Sequence, residues 1–216
     1  MLPVDENGDP DWAFMEQYIQ DINEEKRKHY LIFCKEQLAS IGELVKYKII
    51  FQKIEWKPFY INDIFKIDSG KRLESYNMVV GKKTIYWINR FKKWNNNYIA
   101  NKMLLLDRNV LGVNYNGGTA ISFYHPYECV FSDDVKRFHL KEYTDNKFVL
   151  LFFKTIILQQ KNKYSYAYKF NSTRMKRQII MLPVNDAGNP DYEYMEQYIK
   201  NLMIKKYKAY LEYVEK

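Results

Sequence analysis

Four stretches of the chain carry side chains suited to holding a polyphosphate. Gly70-Lys71-Arg72 sets a flexible residue beside two cations directly after a strand-like run. Arg90-Phe91-Lys92-Lys93-Trp94-Asn95-Asn96-Asn97 interleaves cations, aromatics and amides. Lys and Arg settle on phosphate, whereas Asn and Arg hydrogen-bond the edges of adenine and guanine. Asn114-Tyr115-Asn116-Gly117-Gly118 is a turn whose glycines let backbone approach a ligand closely. Lys161 to Lys169 alternates Lys with Tyr, and Arg174, Lys176 and Arg177 follow. The nucleic-acid contacts expected from these stretches are Gly70, Lys71, Arg72, Arg90, Lys92, Lys93, Asn95, Asn114, Asn116, Gly117, Lys163, Tyr164, Tyr166, Lys169, Arg174, Lys176 and Arg177. Each stretch also has a plainer use: a basic turn, a polar loop with Phe91 and Trp94 anchored in a core, an ordinary turn, or a helix-capping surface with packed tyrosines.

Catalytic constellations are weaker. Asn189-Pro190-Asp191-Tyr192 and Asp9-Pro10-Asp11-Trp12 resemble the Asn/Asp-Pro-Pro-Tyr/Phe signature of amino-methyltransferases, but both lack the second Pro. No Gly-rich strand-to-helix turn for a methyl donor accompanies them. A helix N-terminus, with Asp9 or Asn189 as cap and Pro10 or Pro190 at the first helical position, fits the same residues better. Pro10-Asp11 with Glu24-Glu25-Lys26 has the ingredients of a metal nuclease, which presents carboxylates around the scissile phosphate. Here Glu24 and Glu25 fall inside a predicted helix among many charges, and a solvated face accounts for them. His125 and His139 join no nucleophile. No catalytic residue, metal or cofactor is expected.

The elements that must position the four stretches follow from charge and repetition. Residues 1–45 hold 4 basic and 10 acidic side chains, residues 46–180 hold 25 and 10, and residues 181–216 hold 5 and 6. The net charges are −6, +15 and −1, so one central block carries the whole basic excess of a chain at +8. Such a block suits a nucleic acid; a compositional bias of the genome would have acted on all three. With 47% hydrophobic residues, 20 Tyr, 13 Phe and 4 Trp there is ample material for a core, which excludes global disorder. No apolar run approaches the ~18 residues of a membrane span. Cys34 and Cys129 have no metal spacing and are too few for a disulfide framework, and the acidic start lacks a signal peptide, so a cytoplasmic address is expected.

Residues 1–20, MLPVDENGDPDWAFMEQYIQ, and residues 181–200, MLPVNDAGNPDYEYMEQYIK, are identical at 12 of 20 positions. One structural unit therefore occurs twice, on either side of the basic block. Pro3, Pro10, Pro183 and Pro190 favour extended and turn geometry, Gly8 and Gly188 mark the turn, and a long helix follows. Met195, Ile199, Met203, Tyr207, Tyr210 and Val214 form one helical stripe; Met15, Ile19, Ile22, Tyr30, Phe33, Ile41 and Leu44 form another. The expected packing interface between them is Met15, Ile19, Ile22, Met195, Ile199, Met203 and Tyr210, antiparallel if it closes within one chain.

The central block reads as a mixed α/β domain. Strand-like runs are Phe59–Ile61, Ile64–Ile67, Thr84–Ile88, Met103–Leu106, Ala120–Tyr124 and Cys129–Phe131, and Lys147–Gln160 is an apolar run long enough for a helix. The expected class is α+β, with an N-terminal turn and spacer helix at 1–45, a mixed α/β domain at 46–180, and a C-terminal turn and spacer helix at 181–216, the helices packing as an antiparallel spacer.

At this point the sequence resembles the DNA specificity subunit of type I restriction–modification systems. Trp56-Lys57-Pro58-Phe59 with Asp63-Ile64-Phe65 and Gly70-Lys71-Arg72-Leu73 is similar to the opening of a target recognition domain. Lys163-Tyr164-Ser165-Tyr166 with Arg174-Met175-Lys176-Arg177-Gln178 is similar to its close, and each MLPV unit with its helix to the family's conserved spacer. The resemblance implies a non-catalytic subunit that reads double-stranded DNA and directs an adenine-N6 methyltransferase and a restriction subunit. The family order is domain, helix, domain, helix. This chain carries one domain between two helices, like a half-subunit whose second recognition half comes from a homodimer or a separate chain. An incomplete decoy that inhibits such a complex, or a small stand-alone nuclease or methylase, are the alternatives.

Overall fold

The fold is taken from a computed structural model, which describes residues 2–42, 54–70, 106–116, 118–165 and 167–214, and the backbone of 78–88 and 93–100. The chain divides into two compact units, residues 1–46 with 200–216, and residues 47–199.

The smaller unit is built on helix α1 (Trp12–Ile41) and the later turns of the C-terminal helix, α5 (Tyr192–Val214). The Asp11 side chain caps α1 by accepting from the Phe14 N–H at 2.9 Å. Gly42 ends it, with φ of 84° and its N–H on the Leu38 carbonyl, a left-handed stop that a Cβ would strain. Tyr30 meets Tyr210 edge-on at 4.6 Å, Phe33 meets Tyr207 at 6.0 Å, and the Arg27 guanidinium donates to the Val214 carbonyl at 3.0 Å. These pairs run in opposite directions along the two helices, so the helices pack antiparallel within one chain. Cys34 and Ile204 are buried in this unit.

The larger unit holds nine strands, counting described residues. β1 (Trp56–Tyr60) pairs antiparallel with β9 (Ile179–Pro183), matching Trp56 to Pro183 and Tyr60 to Ile179. A helical turn α2 (Ile61–Ile64) leads into β2 (Phe65–Ser69), where short strands around Asn62-Asp63 were expected. β2 enters a four-stranded antiparallel sheet of order β2-β8-β5-β6, with β5 at Val110–Asn114, β6 at Ser122–His125 and β8 at Val135–Leu140. A three-stranded sheet holds β4 (Lys93–Ala100), β3 (Met78–Ile88) and β7 (Cys129–Phe131), with β3 parallel to β7. The Asn95–Asn97 run therefore lies in a strand rather than a loop. The Met103–Leu106 run falls almost wholly outside the described residues.

Helix α3 (Lys147–Leu158) realises the apolar run. Asn146 caps it, accepting from the Phe148 and Val149 N–H groups, and it packs on β5, β6 and β9. Phe153 meets Phe65 edge-on at 4.7 Å, and Phe65 lies 5.2 Å from Phe138, tying α3 to β2 and β8. Completely buried Leu111, Leu150 and Ile157 complete the core; each such side chain contributes about 1.5–3 kcal/mol on burial. A 3-10 turn (Lys161–Lys163) and a short helix α4 (Ser172–Arg177) close the domain before β9. Among the described residues, no helix is long and apolar enough to cross a membrane.

Candidate nucleic-acid interface

Residues 161–177 hold six cations and no acidic residue. Three polar pins shape this strip. Asn171 caps α4 through the Arg174 N–H at 3.0 Å, and the Arg174 guanidinium donates to the Lys169 carbonyl at 2.7 Å. The same guanidinium lies 3.7 Å over the Tyr168 ring, on which Tyr164 stacks at 5.8 Å and 6°. Such a cation–aromatic contact is worth about 0.5–1 kcal/mol at an exposed site. The Tyr164 hydroxyl donates to Gln178 Oε1 at 2.6 Å, and Gln178 Nε2 donates to Gln160 Oε1 at 3.1 Å. Burial, then the neighbouring Tyr168, raises the Tyr164 hydroxyl above its ordinary pKa. With these side chains spent on shape, Lys161, Lys163, Lys176 and Arg177 stand exposed on the rim. Lys163 makes one short contact, to Gln160 Oε1 at 2.7 Å. A hydrogen-bonded stem thus presents exposed cations, the side chains that settle on phosphate.

A second basic feature sits at the end of β2. The Gly70 N–H donates to the Val135 carbonyl at 3.3 Å, and a Cβ on Gly70 would stand 2.1 Å from the Ser132 carbonyl oxygen. Only glycine fits, which explains the Gly ahead of Lys71-Arg72. Lys136 reaches across the same corner, donating to Ser69 Oγ at 2.9 Å with its ammonium 4.8 Å from the Tyr115 ring. Its pKa is lowered by burial, against the pull of Asp133 and Asp134. Asn114 is buried, and Asn116 donates its amide to Asp134 Oδ1 at 3.0 Å. Both asparagines hold the β5–β6 turn in shape.

A polar cluster behind this surface has no precedent in the sequence reading. Asp107 Oδ2 accepts from Arg137 Nη1 at 2.9 Å and sits 3.0 Å from His139 Nε2, while His139 Nδ1 lies 2.7 Å from Asp145 Oδ2. Asp145 Oδ1 accepts from the Leu140 N–H at 2.8 Å. Hydrogen bonds to Asp107 and then Asp145 raise the His139 pKa to about 9, so the ring is a cation at neutral pH. Burial alone would raise Asp107, but the bond and charge of His139, with the Arg108 N–H and Arg137, bring it below its ordinary value. The cluster ties the segment before β5 to β8. His139 and Arg137 are held by carboxylates and are spent on structure.

Of the expected contact residues, Lys163, Tyr164, Lys169, Arg174, Lys176 and Arg177 share the 161–177 strip. Gly70, Asn114 and Asn116 shape turns. Lys93 and Asn95 lie in β4, and Lys71, Arg72, Arg90, Lys92, Gly117 and Tyr166 lie outside the described residues. Tyr168 and Gln178, quoted within the Lys–Tyr alternation and the closing motif but given no role, and the Asp107 cluster were missed as positioning residues. The helix caps are Asp11 and Asp191, two residues after the expected Asp9 and Asn189, so Pro10 and Pro190 precede the cap rather than open the helix; Glu24 is exposed on α1 beside Lys28 at 3.9 Å.

The expected helix interface is redistributed. Tyr210 lies in the α1–α5 seam. Met195 and Ile199, expected there, belong to the 47–199 unit, where Tyr192 stacks on Tyr143 at 4.7 Å and Glu196 accepts from the Asn146 amide at 2.8 Å. Met203 is half-buried in the other unit, with Ile204 as the buried residue beside it. The register pairs Arg27 with Val214, so Met15, Ile19 and Ile22 extend past the end of α5.

Residues 53–213 match the family described as type I restriction modification DNA specificity domain. The chain is 43% identical over 202 residues to a protein of Heyndrickxia coagulans named "Type II restriction enzyme BgcI specificity subunit S.BcgI", covering 94% of this chain and 57% of that one. It is similar in fold to the type I restriction–modification S subunit from M. genitalium, with a TM-score of 0.55 at 13% identity over 94% of this chain and 54% of the other. The HsdS subunit from Thermoanaerobacter tengcongensis gives 0.53 at 9% identity, over 92% and 49%. The chain thus spans about half the length of these relatives.

Proposed function

The chain belongs to the type I restriction modification DNA specificity family, and from that membership we propose that it is a sequence-reading half-subunit that places an adenine-N6 methyltransferase, and a restriction subunit where one is present, on double-stranded DNA. It performs no bond chemistry itself. Its 47–199 unit reads one half of a site, and the paired helices α1 and α5 serve as the spacer. A two-part site takes a second recognition domain from outside these 216 residues.

The observation that carries this reading is the strip at 161–177. Six cations with no acid among them stand on a stem held by the Arg174–Tyr168 stack and the Gln178 bonds. Phosphate neutralisation releases counterions, so binding falls with salt in proportion to the contacts made. If about five phosphates are neutralised, the log–log slope on duplex DNA is near −4 to −5. Changing Lys163, Lys176 and Arg177 together to Ala flattens that slope by about 2–3 and weakens binding on every sequence alike. A wild-type slope near zero removes the electrostatic account.

A further inference from the structure

The chain leaves the four-stranded sheet at Ser69 and returns to it at Val110, and β8 lies between the two strands so joined, β2 and β5. The excursion carries the β3–β4 ribbon. From residue 70 to residue 106 it holds eight cations against one acid, Glu74, a net +7 within a block of +15. A two-stranded ribbon is marginal alone. This one pairs with β7, Tyr86–Ile88 against Cys129–Phe131. Its direction therefore depends on how β7 and the two ends of the excursion are held.

Both ends are held by β8. The buried Arg137 guanidinium donates through Nη1 to Asp107 Oδ2 at 2.9 Å and through Nη2 to the Ser69 carbonyl at 3.4 Å. One planar group thus spans the outgoing and the returning chain. Asp107 in turn belongs to both sheets. Its N–H and carbonyl exchange bonds of 2.9 Å with Cys129 of β7, while its carboxylate faces Arg137 and His139 of β8. Asp145 holds the far side of the His139 ring. Asn109, left-handed at φ of 54°, donates to the Asp145 carbonyl and accepts from the Tyr124 hydroxyl at 2.6 Å. A buried ionic network is a costly way to hold two sheets together, because well-packed apolar residues of like volume do so as well or better. What its directional bonds add is a fixed angle.

We infer that Arg137, Asp107 and His139 are positioning residues for base discrimination: they set the angle of the β4-β3-β7 sheet, and with it the cation-rich ribbon and its Asn95–Asn97 run, against the four-stranded sheet. The inference deepens the DNA-reading proposal and rests on it. Phosphate contacts tolerate a change of angle, since long Lys and Arg side chains follow the DNA backbone. Bidentate bonds to base edges do not. Loosening this clamp costs preference among sequences and spares affinity for duplex DNA in general.

The test compares the full chain with Arg137→Lys, which keeps the charge but lacks the planar fork that reaches Asp107 and Ser69 together. Without DNA, amide exchange of 79–87 and 95–99 should quicken about tenfold while 111–113 and 149–157 hold. Unchanged exchange in the ribbon, or equal acceleration throughout, overturns the clamp whatever DNA does. With DNA, the probe is a pool of duplexes of random sequence, from which the wild-type chain should enrich a motif. Arg137→Lys should keep its affinity for the unselected pool within about threefold and lose about tenfold of its preference for the enriched duplexes. A role in stability alone lowers both by one factor, and that result overturns the inference. Asp107→Leu with Arg137→Met and His139→Leu should preserve the melting temperature and still lose the preference; preference retained by this folded variant overturns the inference as well. A wild-type chain that enriches no motif overturns the DNA-reading proposal and this inference with it, whereas a motif kept in full by Arg137→Lys overturns the inference alone.

Discussion

Residues 2–22 and 182–202 are the same unit in two settings. One packs on the strands and α3 of the 47–199 unit and buries its Leu, Val and Ile. The other repeats the turn, the cap and the glycine and leaves the equivalent side chains in water. The comparison separates what a short sequence dictates by itself from what it needs a partner for. Caps and turns are local, requiring only Asp11 or Asp191 and a Pro before it. Burial of a helix face is not local, and no periodicity in Met15-x-x-x-Ile19 says which surface will meet it.

The strongest way to break the comparison is a charge at matched positions. Ile199→Asp puts a carboxylate at a buried position and should cost about 3–5 kcal/mol in denaturant unfolding. Ile19→Asp should stay within about 0.5 kcal/mol. Equal costs mean that the two copies do not differ as the fold shows. Truncation should follow the same order with smaller numbers: Leu182→Ala loses about 2–4 kcal/mol by leaving a cavity, and Leu2→Ala almost nothing.

The Asp107 cluster offers a pH handle on the larger unit alone. The folded His139 pKa of about 9 lies above its ordinary 6.5, so its stabilisation is complete below pH 6.5 and is lost as pH rises through 9. After allowance for its partial exposure the loss is about 1–2 kcal/mol. His139→Gln should remove that slope from the melting curve between these pH values, and a slope that persists assigns it to another group. The smallest effect sharpens the comparison from the other side. Asp11→Ala and Asp191→Ala each remove one cap, worth about 1 kcal/mol of local helix stability, and should increase amide exchange at Phe14 and Tyr194 by similar factors. A large disparity would mean that the caps, too, depend on the partner.

The same division explains what was legible in the residues. The duplicated unit, the α3 run with its Asn146 cap, and the basic strip were visible because each is contiguous or periodic. β5 was not, because Val110–Asn114 is buried on both faces and shows no alternation, and its last residue was read as turn. The Asp107–His139–Asp145 cluster joins residues 32 and 6 positions apart, a spacing that only the β8 register creates. Gly70 was singled out for freedom beside two cations; the fold shows it is required by the Ser132 carbonyl. The helix seam was expected to be antiparallel if it closed within one chain, with pairing between copies left open, and it closes within the chain. Its register was misjudged, because the first turns of α5 are claimed by Tyr143, Asn146 and Phe152.

The central claim is that this chain tells a methyltransferase where to act. The direct measurement is mapping of N6-methyladenine in cells that carry the methyltransferase subunit and a second recognition domain, with and without this chain. The account predicts methylation at a gapped two-part motif that appears only with the chain and is lost with the Lys163, Lys176 and Arg177 to Ala variant. Methylation at the same motif without the chain, or none with it, contradicts the account.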